Sequence, residues 1–351
     1  IQHLVVRIPI FSNQTEQKIN FSDDHVSTMS YRPFCKTNGW FDTQINDRPG
    51  LQPQLFPYRR AKNLEIIVSE RGAFITHDVP DLEVMHHGQC FPLYWYEEAK
   101  PSDVPIAYNT LFGDDQGTLV FDKGSKGEQY VRHDAITDAG LKVFQEAYPE
   151  IPGITKEDIF YYVYGILHSR EYRRRFGNNL AKELPRIPLA TNFPAFRDAG
   201  RKLAKLHLDY EKVRPWDVTE TGDSENPGRT VKMTYPRKVT DPETGKKVKD
   251  LTVLQVAENL TIEGIPPRAY DYVVNGKTAI GWLIDRYQVT ADKKSGIVND
   301  PNEYSKDPRY IVDLVEKVIR VSVETVDIMN GLPALAEKKT KPACWPEEWN
   351  R

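Results

Sequence analysis

The sequence predicts an α+β protein: a mixed β-rich domain with long hairpins, a helical subdomain and a C-terminal helix. Three observations carry this. Short runs of β-branched and aromatic residues between turn signals fill the first part of the chain. Apolar residues at helical spacing then take over, and turn-flanked strand pairs followed by one long periodic segment complete it. The divisions expected are 1–135, 136–215 and 216–351, consistent with a length of 351 residues that exceeds what one hydrophobic core usually serves.

The elements follow in order. LVVRIPIF, LEIIVS, GAFITHDV and GTLVFD read as strands, with PSDVP, GDDQG and DKGSKGE as loops. Asn38–Gly39, between YRPF and WFD, suits a type I′ hairpin turn. Thr155 stands three residues before Asp158, a capping box. Ile159, Val163, Ile166 and Leu167 continue that helix, and Gly177 suits its C-cap. Pro185 and Pro188 then break the chain. A second helix is expected over 194–210, with Phe196, Gly200, Leu203, His207 and Tyr210 on one face and Arg197, Arg201, Lys202 and Lys205 on the other.

TVKMTYPRKV and KVKDLTVLQV flank TDPETGK, an extended hairpin with Lys238, Lys246, Lys247 and Lys249 near its tip. Asn275–Gly276 suits the turn of another hairpin, between AYDYVV and TAIGWLID. The last helix spans 308–330, with Ile311, Leu314, Val315, Val318 and Val321 as its apolar positions and Gly331 and Pro333 as its stop.

Hydrophobic content of 39% and charged content of 28% suit a globular protein, and no apolar run is long enough to cross a bilayer. The start, IQHLVVRIPIF, has no basic n-region or long apolar h-region, so it reads as a fragment beginning inside a larger polypeptide. Three widely spaced cysteines (Cys35, Cys90, Cys344) argue against a disulfide framework and for a reducing, cytoplasmic setting. His86, His87 and Cys90 lack the further ligands a metal site needs. The sequons at Asn13 and Asn259 carry no meaning without secretion.

The net charge is −3, but its distribution is uneven. Residues 160–215 hold twelve Lys/Arg against five Asp/Glu, whereas 76–122 hold nine acids against one lysine. A basic wall of a cleft would attract phosphates even on a mildly acidic molecule.

Catalytic signatures are missing. Gly276–Lys277–Thr278 matches the end of a phosphate-binding loop, but that pattern needs glycine where Asp271 stands, and TAIGW reads as a returning strand. Pro266–Pro267 lacks the flanking groups of the loop that grips a flipped adenine. Asp241, Glu243, Lys246 and Lys247 have nuclease-like chemistry, but a hairpin tip holds metal geometry poorly. Recognition is the remaining reading: Lys and Arg position phosphates, and Arg, Lys, Asn or Gln read base edges. The candidate contacts are Arg170, Arg173, Arg174, Arg175, Asn178, Lys182, Arg186, Arg201, Lys202, Lys246 and Lys247, expected to converge in one trough.

Four landmarks make the reading specific: Tyr31–Phe34 (YRPF) with Trp40–Asp42 (WFD); Tyr161–Leu189 (YYVYGILHSREYRRRFGNNLAKELPRIPL); Tyr272–Tyr287 (YVVNGKTAIGWLIDRY); and Ser295–Asn302 (SGIVNDPN). Together they resemble the C-terminal target-recognition region of type ISP restriction–modification enzymes. YRPF is commonly followed by Asp in that family, whereas Cys35 and Lys36 follow it here. The resemblance implies a longer polypeptide with nuclease, translocase and adenine-N6 methyltransferase domains, using S-adenosylmethionine, ATP and Mg2+. It implies that this part uses no cofactor and catalyses nothing itself. Its partners would be double-stranded DNA and those other domains, with no membrane. Two alternatives stay open: an interdomain module docking methyltransferase and translocase, and an unrecognised nuclease.

Overall fold

A computed structural model describes residues 22–42, 50–59, 61–86, 88–99, 120–123, 129–180 and 182–339, together with the Leu4–Val5 strand. Most of LVVRIPIF, the PSDVP and GDDQG loops and most of DKGSKGE lie outside these residues. Seven helices are described: α1 (Gln52–Leu55), α2 (Asp138–Ala147), α3 (Lys156–His168), α4 (Arg170–Leu180), α5 (Phe193–Leu208), α6 (Ala279–Arg286) and α7 (Tyr310–Asn330). The strands form small, mostly antiparallel sheets, giving the expected α+β architecture.

Among the described residues the two larger apolar cores share one wall, and a small third cluster forms around Leu55, Phe56 and Val79. Glu65–Ser69 pairs with Gly72–Thr76 and Gln89–Pro92, and every residue of the first two strands is buried. Ile66, Val68, Ala73 and Ile75 face α2–α5, while Ile67 and Phe74 face the other core. Strands covered on both sides need no polar alternation, which explains their nearly unbroken apolar runs. The second core is built around α7, with Leu254, Val256, Leu260 and Ile262 from the paired strands Val253–Ala257 and Leu260–Glu263, and with Ile280 and Leu283 of α6. α5 serves both cores: Phe196 and Leu203 enter the first, and Leu206 the second.

α3 and α5 cross with their backbones in contact. A Cβ on Gly165 would lie 2.0 Å from the Phe196 carbonyl oxygen, and one on Gly200 would lie 1.8 Å from that of Tyr161. Glycine at both positions is therefore a packing requirement. The Thr155–Asp158 capping box opens α3 as expected.

Three tyrosines near this crossing share one job. Tyr148 Oη donates to the Ala190 carbonyl (2.7 Å), Tyr162 Oη to that of Pro188 (2.6 Å) and Tyr172 Oη to that of Arg186 (3.0 Å), while the Ala190 amide donates to Tyr162 Oη (2.8 Å). They clamp the segment after α4, whose paired prolines deny it regular structure of its own. The C-terminal segment adds to the clamp: Thr191 N–H donates to Ala336 O and Lys338 N–H to Leu189 O.

Three local expectations are corrected. Asn38 and Gly39 lie inside the Cys35–Trp40 strand, paired with Thr28 and Ser27. The hairpin turns instead at Pro33–Phe34, where Phe34 takes φ 60° and drives its ring into the core against Phe74, Tyr210 and Tyr272. A Cβ on Gly39 would meet the far end of the Phe41 ring at 2.7 Å, so a larger residue there would require that ring to shift. The helix opened by Thr155 does not run to Gly177: Ser169 takes an extended conformation (ψ 123°) and divides it into α3 and α4. TAIGW is not a strand beyond Thr278, whose side chain accepts from Gly281 N–H (3.0 Å) and caps α6. The Asn275–Gly276 turn itself forms as expected, with φ 51° and 78°.

Candidate nucleic-acid interface

The eleven candidate residues divide by what their side chains already hold. Arg173 is committed to the fold: its Nη2 donates to the Glu70 carbonyl (2.9 Å), and burial lowers its pKa. Arg175 pairs with Glu171 and, at 3.4 Å, with Glu337. Glu171 also accepts from Leu335 N–H (2.6 Å), and that bond, first among its causes, holds its carboxyl below the usual range. Arg201 sits 3.4 Å from Glu157 and 3.1 Å from Asp158, over the Tyr161 ring at 4.5 Å. Arg186 lies 3.3 Å from Glu183. Arg175, Arg201 and Arg186 are thus partly neutralised before any ligand arrives, whereas Arg173 keeps its charge but is tied to a backbone carbonyl.

The others are available. Arg170 is exposed at the start of α4, Asn178 in its last turn and Lys182 just beyond. Arg174 is 77% exposed and reaches only 4.0 Å from Glu171, so that pair is weak. Lys202 lines a groove of about 560 Å³ between α5 and α7 with Lys205, Lys212, Asp209 and Glu324. Lys246 and Lys247 are exposed at the end of the hairpin formed by Lys238–Thr240 and Lys247–Lys249.

The candidates therefore occupy three places: the exposed side of α4 with the residues after it, the polar face of α5, and the hairpin tip. α3–α5 pack mainly in the first core, whereas the hairpin leads into the strand that supplies Leu254 and Val256 to the second. The hairpin continues toward that core through the Asp250 N–H to Arg237 O bond and the Thr234–Gln255 bridge. Arg237 is held bidentately by Glu263, at 2.9 and 2.7 Å, and Lys249 lies 5.5 Å from the Tyr235 ring centre.

Lys277 of the phosphate-loop lookalike is ion-paired with Asp285 and lies over the Trp282 ring at 4.8 Å. Among the described residues no three His, Cys, Asp or Glu side chains cluster as metal ligands. No described helix is long and apolar enough to cross a membrane.

Sequence reading missed a second basic hairpin, Thr290–Ala291 with Val298–Asn299, whose turn carries Lys293 and Lys294. Its signal is present in DKKSG, which has the same turn chemistry as DPETG of the first hairpin.

A two-core α+β domain with preformed basic hairpins is the frame of a macromolecule-recognition module. The family model for the Type ISP C-terminal specificity domain matches residues 10–314. The chain belongs to that family.

Solved structures agree. The ATP-dependent Type ISP restriction–modification enzyme LlaBIII bound to DNA aligns with 92% of this chain at 30% identity and TM-score 0.73. A nuclease-deletion mutant of the Type ISP enzyme LlaGI, in complex with a DNA substrate mimic, aligns with 92% at 33% identity and TM-score 0.70. A DrdV–DNA complex aligns with 91% at 25% identity and TM-score 0.71. The chain spans 19%, 26% and 29% of those three polypeptides. No curated protein matches the sequence.

Proposed function

We propose that this chain binds double-stranded DNA at a specific sequence and acts as the non-catalytic target-recognition part of a restriction–modification polypeptide. The observation that carries this is the match of residues 10–314 to the Type ISP C-terminal specificity domain, with nearly the whole chain aligning at 30% and 33% identity to Type ISP enzymes solved with DNA or a DNA mimic. In the longer polypeptide it would place the target adenine before a methyltransferase domain. S-adenosylmethionine, ATP and Mg2+ would be held by other domains there.

Unpaired cations supply the affinity. Each neutralised phosphate releases counterions, so binding weakens steeply as salt rises. Contacts to base edges, worth about 1–3 kcal/mol for each good bidentate pair, supply discrimination. Arg170, Arg174, Lys182, Lys202, Lys246 and Lys247 have the exposure this requires. Arg173 acts differently, by tying α4 to the Glu70 turn.

The test is a titration of the full chain with duplex DNA over a range of salt. Arg174→Ala is expected to reduce the slope of log affinity against log salt by about 0.9, the value for one phosphate. Arg173→Ala is expected to lower Tm and leave that slope alone. Salt-independent binding, or none, would reject the proposal.

A further inference from the structure

We infer that the Thr290–Asn299 hairpin is a second DNA-contacting prong, rooted beside the Lys238–Lys249 hairpin and working with it; this rests on the DNA-recognition reading above. Three observations carry it.

The two tips are built alike. In the first, Asp241 Oδ1 accepts from the amides of Glu243 and Thr244 (2.9 and 2.8 Å), its carbonyl accepts from Gly245 N–H, and Gly245 takes φ 68°. In the second, Asp292 Oδ1 accepts from the amides of Lys294 and Ser295 (2.9 and 2.7 Å), its carbonyl accepts from Gly296 N–H, and Gly296 takes φ 70°. The amide bonds hold both aspartates ionised below their usual range and face them into the turn. The turn-capping aspartate in each tip is thus spent on rigidity; Lys246 and Lys247, beside the exposed Glu243, and Lys293 and Lys294 face solvent on preformed loops.

Their roots are joined. Val289 N–H donates to Val231 O (2.9 Å), Asn302 Oδ1 accepts from Thr230 N–H (2.8 Å), and Asn302 Nδ2 donates to Thr230 O (3.1 Å). Arg229 forms an ion pair with Asp300. The chain entering the first hairpin is therefore pinned to both ends of the second. This gives the SGIVNDPN landmark a physical role: Val298 and Asn299 form the returning strand of the prong, and Asp300 and Asn302 fasten the prong to its neighbour.

The apolar side chains beside these lysines face outward. Ile297 is 67% exposed and Val298 58%, and Val239 and Val248 are exposed on the first hairpin. A ribbon meant only for solvent would place polar residues there. Branched apolar groups next to cations suit a nucleic-acid groove, where a two-stranded ribbon fits the major groove and apolar groups meet thymine methyls.

The experiment compares the full chain with Lys246→Ala/Lys247→Ala, Lys293→Ala/Lys294→Ala and the fourfold variant. Binding to a labelled mixed-sequence duplex is followed by anisotropy across a salt series. Each double variant is expected to lower the salt slope by about 1.8, twice the contribution of one phosphate, and the fourfold variant by about 3.6. All four side chains are exposed, so circular dichroism and Tm are expected to match wild type. If Lys293→Ala/Lys294→Ala keeps the wild-type slope while Lys246→Ala/Lys247→Ala lowers it, the second prong is overturned and DNA recognition stands. If wild type itself shows no salt-dependent binding, the recognition reading falls and the prong with it.

Discussion

The crossing of α3 and α5 makes a sharp quantitative prediction. Gly200→Ala would place a methyl group 1.8 Å from the Tyr161 carbonyl oxygen, and the obstacle is helix backbone, which has no rotamer to escape into. Contact needs more than 3 Å, so the helices must part by about 1–1.5 Å. A gap of that size forfeits at least about half of each atom pair's attraction of ~0.1–0.2 kcal/mol. Over roughly fifty pairs along the crossing this comes to about 4 kcal/mol. Alanine's better helix propensity returns about 1 kcal/mol, leaving a loss of about 3 kcal/mol. With an unfolding entropy of about 2.1 cal/mol/K per residue, a 351-residue cooperative unit would melt about 4 °C lower. Gly177→Ala is the control: it is the same exchange within a helix, but nothing lies within 4 Å of the new methyl. It is expected to gain about 0.5–1 kcal/mol. Differential scanning calorimetry of both variants decides the matter. If Gly200→Ala melts at or above wild type, the close-contact reasoning is wrong.

Two further predictions concern buried polar groups. Burial pushes the Glu65 carboxyl from 4.5 up to about 7. The native state then keeps a proton that the unfolded chain has released, so stability present below pH 4.5 is lost as pH rises through 7. Relative to wild type, Glu65→Gln should gain about 1.4 kcal/mol per pH unit across that window in denaturant titrations, and a constant difference would refute the assignment. His207 is buried and held neutral by burial, bridging Tyr164 Oη (2.6 Å) and Thr325 Oγ1 (2.8 Å) between α5, α3 and α7. Thr325→Val leaves one ring nitrogen unpaired and should cost about 1–3 kcal/mol, read as a lower denaturation midpoint at unchanged m. An unchanged midpoint would mean that the hydroxyl does not matter.

Sequence pattern found the elements whose causes are local. The capping box at Thr155, the apolar spacing of α7 and the Asn275–Gly276 turn follow from residues within a few positions of one another. It failed where a distant contact decides. Asn38–Gly39 has ideal turn chemistry, yet both residues pair within a strand, and Phe34 takes the turn because its ring fills a core drawn from residues 74, 210 and 272. The candidate interface shows the same limit. Sequence can count the arginines after Ser169, but it cannot show that the partner of Arg173 is the Glu70 carbonyl or that Glu337 reaches back to Arg175. The second basic hairpin was readable in principle, because Asp292, Ser295 and Gly296 repeat the spacing of Asp241, Thr244 and Gly245.

The strand Glu65–Ser69 gives alternate side chains to opposite cores, so neither core can come apart without stripping one side of it. Melting should accordingly proceed as a single event, with no half-molten species in which one core outlives the other. Lys246, Lys247, Lys293 and Lys294 project from loops that neither core uses. Mutation can rewrite those loops while leaving the scaffold's stability almost untouched, because their side chains contribute nothing to either apolar interior.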